Sequence, residues 1–258
     1  MSLNETGRLR RRWDRPVNNY EFCARFAAKV RNGAPAFKAL DYGCGAGEIV
    51  KLMRDDGLDA WGCETFYEGG DLSSRVPPEL KDRILVMQGD RIPFPDNTFD
   101  LLMSNQVLEH VADLDVVLSE VSRVLKPGGV CLSLFPHREV WREGHCNIPF
   151  LHRFPKGSRL RIYYAAALRA LGVGYFKDEK TALNWSRSRC TWLDKWCYYR
   201  PYRQIAESFT IHLSKPNHIE ADWIVSRSKK LELLPRWLRQ LMAYKLAGLV
   251  FLTVKPSL

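Results

Sequence analysis

The spacing of apolar positions changes several times along the chain, and each change marks an element. Phe22, Phe26 and Val30 recur at four-residue steps behind Asn18 or Asn19, which predicts a capped first helix ended by Gly33 and Pro35. The run from Phe37 to Tyr42 predicts a strand. Residues 48–56 place Ile49, Leu52 and Met53 on one helical face, closed by Gly57. Three further strands are expected at 60–64, 84–88 and 99–104. Leu114, Val117, Leu118, Val121 and Leu125 predict an amphipathic helix, stopped by Lys126-Pro127-Gly128-Gly129, and 130–135 a fifth strand. This alternation predicts an α/β fold with a mostly parallel seven-stranded sheet and helices on both faces.

The rhythm breaks over residues 137–204, which are rich in aromatic and basic side chains. We read them as a helical insertion over the C-terminal edge of the sheet, where folds of this class bind ligands. Strands are expected to resume at 209–213 and 249–254, with an amphipathic helical pattern over 231–249. The chain thus reads as one domain, 1–258, with a binding core at 37–136, a substrate-side lid at 137–204 and C-terminal elements at 205–258.

Composition adds limits. With 258 residues, 46% hydrophobic and 26% charged, the chain can bury a full core. Its seven cysteines are dispersed without a C-x-x-C pair, so they read as reduced thiols in a cytoplasmic protein rather than a zinc ribbon or disulfide framework. Arg8 to Trp13 is basic with no apolar stretch behind it, so no secretion signal is expected. No apolar run approaches the roughly 18–20 residues of a membrane span. The net charge of +10 divides into +6 over residues 1–38, −9 over 39–150 and +13 over 151–258. The acidic centre disfavours a polyanion there, whereas the basic C-terminal part suits phosphate, an anionic membrane face or nucleic acid.

The chemistry begins at Asp41-Tyr42-Gly43-Cys44-Gly45-Ala46-Gly47, a glycine loop between a strand and a helix. Such a loop lets a ligand approach the backbone. A dinucleotide fingerprint would place its third glycine where Glu48 stands. A carboxylate at the strand tip, Asp41, suits a cationic amino group better than a pyrophosphate. Glu64, 23 residues on, ends the second strand, where a carboxylate accepts ribose hydroxyls. Asp90 follows the third strand, placed to accept from an adenine amino group. The implied ligand is adenosyl-like and carries an ammonium: S-adenosylmethionine.

At this point the chain resembles the class I S-adenosylmethionine-dependent methyltransferases, of the broad type that includes ubiquinone and menaquinone biosynthesis enzymes and many glycan and natural-product enzymes. The resemblance rests on residues 40–47, 89–100, 105–111 and 120–129, together covering about 37–136. It implies a Rossmann-like fold and the following roles. Asp41 and the loop residues Gly43, Cys44, Gly45 and Gly47 hold the methionine moiety. Glu64, with Thr65 beside it, holds the ribose. Asp90 and the Arg91 amide read the adenine. Asn105 and Gln106 line the cofactor near the sulfonium.

An oxygen acceptor must also lose its proton, and histidine suits that near neutral pH. His110, beside Glu109 past the fourth strand, is the candidate base, and His137, past the fifth strand, also reads as facing the cleft. Trp141, His145, His152 and Arg153 read as shaping the acceptor pocket. Glu109, His110, Glu143 and His145 could form a metal set, but no regular ligand spacing is present, so no metal is expected. The reading is O-methylation of a small-molecule, glycan or lipid-linked acceptor, with a peripheral membrane contact left open. Two alternatives stand beside it: an RNA methyltransferase using the basic C-terminal part, disfavoured by the acidic centre, and a non-catalytic S-adenosylmethionine-binding protein.

Overall fold

A computed structural model of the chain describes residues 16–176 and 181–257; the basic stretch Arg8–Trp13 lies outside them. Helix α1 (Asn19–Arg31) starts at Asn18, whose side chain accepts the Glu21 amide while Glu21 accepts the Asn18 amide. This reciprocal cap satisfies two amides that helix geometry leaves unpaired. There follow β1 (Lys38–Tyr42), α2 (Glu48–Asp55), β2 (Asp59–Glu64), β3 (Ile84–Val86), β4 (Phe99–Asn105), α3 (Leu114–Val124) and β5 (Leu125–Phe135). A small antiparallel pair, β6 (Arg142–Glu143) and β7 (Ile148–Pro149), precedes α4 (Arg159–Ala170) and α5 (Ala182–Trp196). The chain then forms α6 (Tyr202–His212), β8 (Asn217–His218), α7 (Glu220–Arg227), α8 (Arg236–Leu246) and β9 (Leu249–Val254).

The main sheet has seven strands in the order β3-β2-β1-β4-β5-β9-β8. The first five run parallel, while β9 pairs antiparallel with both β5 and β8. Strand order reverses beside β1, and this crevice at the carboxyl ends of β1, β2 and β4 is where such sheets admit ligands. Each face of the sheet has its own apolar cluster. One unites α1, α2, α7 and α8 through Phe22, Phe26, Met53, Trp223 and Ala243; the other unites α3 and α6 through Val117, Leu118 and Phe209.

Residues 209–213, expected as a strand, lie in α6 and its C-cap. Phe209, Ile211 and Leu213 alternate as a strand would, but Ile211 is 74% exposed, while Ile205, Ser208 and Phe209 form the buried face. The helical period wins because only that face meets α3. The sheet's last strand is instead β8, two polar residues long and without a sequence signal. Helix α3 stops at Val124, as expected, and Lys126 to Gly129 bulge within β5 between the pairings of Leu125 with Phe99 and of Val130 with Leu101; the Gly128 amide donates to the Lys255 carbonyl and the Lys255 amide to that of Gly129.

The insertion builds a third apolar cluster from Cys146, Ile148, Leu151, Ala165, Trp185 and Leu193. Trp185 is fully buried, and its indole N–H donates to the Tyr175 carbonyl, whereas Tyr175 and Phe176 are about half exposed. Helices α4 and α5 are tied by the buried Arg161, whose guanidinium pairs with Asp194. Asp194 also accepts the Gly157 amide, and its carbonyl accepts from Lys156. All seven cysteines are buried free thiols. Among the described residues no helix is long and apolar enough to cross a membrane.

Removing Asp194 would leave the Arg161 charge buried without its partner, a loss of about 3–5 kcal/mol. Asp194→Ala is therefore expected to lower the urea midpoint of the far-ultraviolet dichroism clearly. An unchanged midpoint would show that the pair does not hold α4 on α5.

Candidate functional site

The glycine turn after β1 is tight because the protein's own side chains fill its concave sides. Gly43 has φ +72, and a Cβ there would stand 2.4 Å from Val107. Gly47 has φ +87, and a Cβ there would meet Ile84 at 2.6 Å and Leu80 at 2.9 Å. A larger residue at either position would be strained in backbone and in space. The turn is thus fixed by packing before any ligand arrives. Cys44 is buried against β2.

Glu64 at the end of β2 reaches across to this turn. Its Oε2 accepts the Gly45 amide at 2.9 Å, and its Oε1 accepts the Thr65 amide at 2.8 Å. A carboxylate has about four lone-pair sites, so acceptor capacity remains for hydroxyls. Asp41 is only 2% exposed, one strand away. Burial, and then the like charge of Glu64, push its pKa well above the carboxylate range. Two acidic groups therefore converge where a ligand cation would relieve both. Asp90 and Arg91 are exposed on the turn after β3, where Gln88 bridges to Arg91. At the end of β4, Asn105 accepts from Asn19, which in turn accepts from the Trp223 indole. Gln106 is exposed with φ +58. These expected cofactor residues lie on one edge of the sheet, at the ends of adjacent strands.

The expected catalytic and acceptor residues divide. His137 does not face the cleft: it is fully buried, its ring 4.2 Å from that of Tyr244, and burial pushes its pKa down to about 3. The chain turns after β5 so that this side chain enters the layer under α8. His110 does not present a free ring nitrogen. Its Nδ1 lies 2.7 Å from the Trp196 carbonyl and its Nε2 lies 3.2 Å from Nε2 of His145. Burial pushes its pKa down to about 4. Glu109 is 1% exposed with neither carboxylate oxygen hydrogen-bonded, and burial raises its pKa to about 7.

His145 joins this group from the β6–β7 hairpin. Its Nδ1 lies 2.7 Å from Glu143, which also accepts from the Tyr199 hydroxyl at 2.6 Å. Burial opposes charge on His145, but Cys197 and Glu143 beside it raise its pKa overall; burial likewise opposes the Glu143 charge, and hydrogen bonds from His145 and its neighbours hold that carboxyl down. The rings of Trp192 and Tyr67 stand around the histidine pair. Trp192 also donates to the Gly69 carbonyl, which docks α5 onto the loop after β2. Trp192, Trp196 and Tyr199 had no sequence signal beyond the aromatic density of the insertion, and Tyr67 and Cys197 had none.

His152 and Arg138 border a separate cavity of about 380 Å³, with Lys156, Arg161, Tyr198 and Arg200. Four cations and no carboxylate line it. The His152 Nε2–H donates to the Arg138 carbonyl, leaving Nδ1 buried without a partner. Trp141 is half exposed, and the exposed Arg153 donates to the carbonyls of Glu139 and Val140; neither lines this cavity.

Comparison with known proteins bears on the core. The family profile described as "Methyltransferase domain" matches residues 40–133. The chain is 39% identical over 104 residues to the sterol 24-C-methyltransferase ERG6B of Gibberella zeae, covering 37% of this chain and 27% of that protein. It is 35% identical over 117 residues to the ubiquinone/menaquinone biosynthesis C-methyltransferase UbiE of Desulfotalea psychrophila, covering 43% and 46%. The chain thus spans less than half the length of these two relatives. The crystal structure of an S-adenosylmethionine dependent methyltransferase from Mesorhizobium loti matches with a TM-score of 0.52 at 14% identity, over 92% of this chain and all of that one. This likeness shows the fold.

Because the folded-state pKa of Asp41 is raised, its contribution to stability is fully present below the unfolded value of about 3.9 and is lost as pH rises through the folded value. Asp41→Asn removes that loss. The ligand-free variant is expected to melt higher than the parent, by a margin that grows as pH rises from about 4 toward neutrality. A margin independent of pH would show that Asp41 is not a destabilising charge.

Proposed function

The chain carries a class I S-adenosylmethionine-dependent methyltransferase domain, and we propose that it methylates a small acceptor bearing an acidic group. The observation that carries the cofactor half is the approach of Glu64 to the buried Asp41 at a preformed turn, where burial and then the Glu64 charge disfavour an anionic Asp41. The residues fit the cofactor: Asp41 would hold its ammonium, and the free lone pairs of Glu64 its ribose hydroxyls. When bound, the cofactor supplies an electrophilic methyl group on a sulfonium. Alignment of acceptor and methyl contributes much of such a catalysis.

The acceptor half rests on the cavity beneath the insertion. With Arg161 paired to Asp194, the other three cations, Arg138, Lys156 and Arg200, would hold a carboxylate or phosphate, and Tyr198 and Phe154 would pack against the remainder of the molecule. His110 is a poor general base because both its ring nitrogens face partners. An acceptor oxygen that ionises without help would need no such base, and a cationic lining favours that ionised form. This reading keeps O-methylation of a small-molecule, glycan or lipid-linked acceptor and drops the base assigned to His110.

Two measurements test it. By calorimetry, Asp41→Asn is expected to weaken S-adenosylmethionine binding about tenfold or more, a loss of about 1.4 kcal/mol. Unchanged affinity would remove Asp41 from the cofactor site. With methyl-labelled cofactor and fractionated cell extract, label is expected in acidic small molecules, glycans or lipids. Lys156→Met should then raise the acceptor KM while leaving cofactor affinity unchanged. Label confined to RNA, or to neutral acceptors with Lys156→Met silent, would overturn the acceptor assignment.

A further inference from the structure

We propose that His110, His145 and Cys197 form a binding site for a thiophilic divalent transition metal of the zinc class. Three separate segments supply the donors: the turn after β4, the β6–β7 hairpin and the C-cap of α5. Their candidate ligand atoms all lie within 4.8 Å of one another.

The hydrogen bonds around the two imidazoles fix where their protons sit. The Trp196 carbonyl can only accept, so the Nδ1 of His110, 2.7 Å away, carries a proton. The carboxylate of Glu143 can only accept, so the Nδ1 of His145, also 2.7 Å away, carries one too. In neutral rings both Nε2 atoms are then bare lone pairs. They face each other at 3.2 Å. Two lone pairs so close repel unless something positive lies between them. A tetrahedral zinc bound at 2.0–2.1 Å to two imidazoles would set their nitrogens roughly 3.3 Å apart. Metal-ligating histidines also characteristically donate their distal N–H to a carbonyl or a carboxylate, the two partners found here.

The surroundings fit a cation. Cys197 Sγ stands 3.9 Å from each Nδ1, and with the three candidate ligand atoms within 4.8 Å of one another, its thiolate would move toward the facing Nε2 atoms to join their coordination sphere. Glu109, next to His110, is 1% exposed with both carboxylate oxygens lacking a hydrogen-bond partner. The charges of His145 and Glu143 act on it, so it borders the same group. A buried carboxylate without a partner is costly, and a metal beside it would offset that cost. Two nitrogens and a sulfur select zinc-like ions over magnesium or calcium, which take oxygen ligands. Such an ion would pin the end of α5 to the sheet edge and to the hairpin, holding the insertion over the cleft. The sequence offered no ligand spacing because the donors are 35 and 87 positions from His110. The expectation of no metal rested on that missing spacing alone.

The competing occupant of the gap is a proton, which would make His145 an imidazolium donating to His110. The experiment separates the two. The full-length protein, purified without a polyhistidine tag, is assayed for metals by mass spectrometry. It is then stripped with a chelator, checked for folding by circular dichroism and titrated with Co(II). Stoichiometric zinc in the isolated protein is expected, as are visible d–d bands and a near-ultraviolet thiolate-to-cobalt band in the titration. Cys197→Ser should abolish the near-ultraviolet band while the visible bands persist, and Glu143→Gln should weaken uptake about tenfold. Absence of zinc together with no cobalt spectrum from the folded, stripped protein would overturn the proposal in favour of the proton. So would a cobalt spectrum unchanged in Cys197→Ser.

Discussion

The hydrogen bond from the Gly45 amide to the Glu64 carboxylate joins the end of β2 to the turn after β1, and the cofactor edge is organised around it. It orients one oxygen of Glu64, while the other accepts from the Thr65 amide. It also brings a negative charge close to Asp41, which burial already disfavours as an anion. The fold tolerates this because the surrounding packing is strong: Val107 stands over Gly43, and Leu80 and Ile84 over Gly47. The site is therefore destabilised electrostatically and held in place sterically. A cationic ligand would convert that repulsion into attraction, and such pre-organisation strengthens binding.

The insertion works by a different principle. It has its own apolar cluster around Trp185, so α4 and α5 hold together largely through their own contacts. Its attachments to the core include Trp192 on Gly69, Lys195 on Glu68, and the Trp196 carbonyl on His110. Arg200 adds donations to the carbonyls of Val111 and Ala112. All of these land on the loops after β2 and β4, the same loops that border the cofactor edge. Any displacement of α5 would therefore be felt directly at the crevice.

Charge is segregated to match. The acidic groups lie at the strand ends, where the proposed ligand carries its positive charge. The cationic cavity lies between the insertion and the turn after β4, bordered by His152, Arg138 and Arg161. Cys197 and Tyr199 line that cavity and also touch the histidine pair, so one wall serves both. On the proposed function, the opposite signs of the two regions would favour a cationic donor at one and an acidic acceptor at the other.

What the sequence determined by itself was local. Asp41, the glycine turn, Glu64 and the alternation of strands and helices were legible because each lies at a strand end with its signal within a few residues. The five parallel strands needed only short-range hydrophobic patterns. Tertiary structure decided whatever depended on a distant partner. Residues 209–213 became helical because α3 supplied a surface for one helical face, and β8 exists only because β9 lies beside it. His137 followed β5 as expected but turned inward under Tyr244. His110 was legible as a chemical group, yet its state depends on His145 and Trp196, brought to it by a hairpin and a helix end. Proximity across 86 positions leaves no periodic trace in a single sequence, and it is the packing of α5 on the sheet edge that creates it.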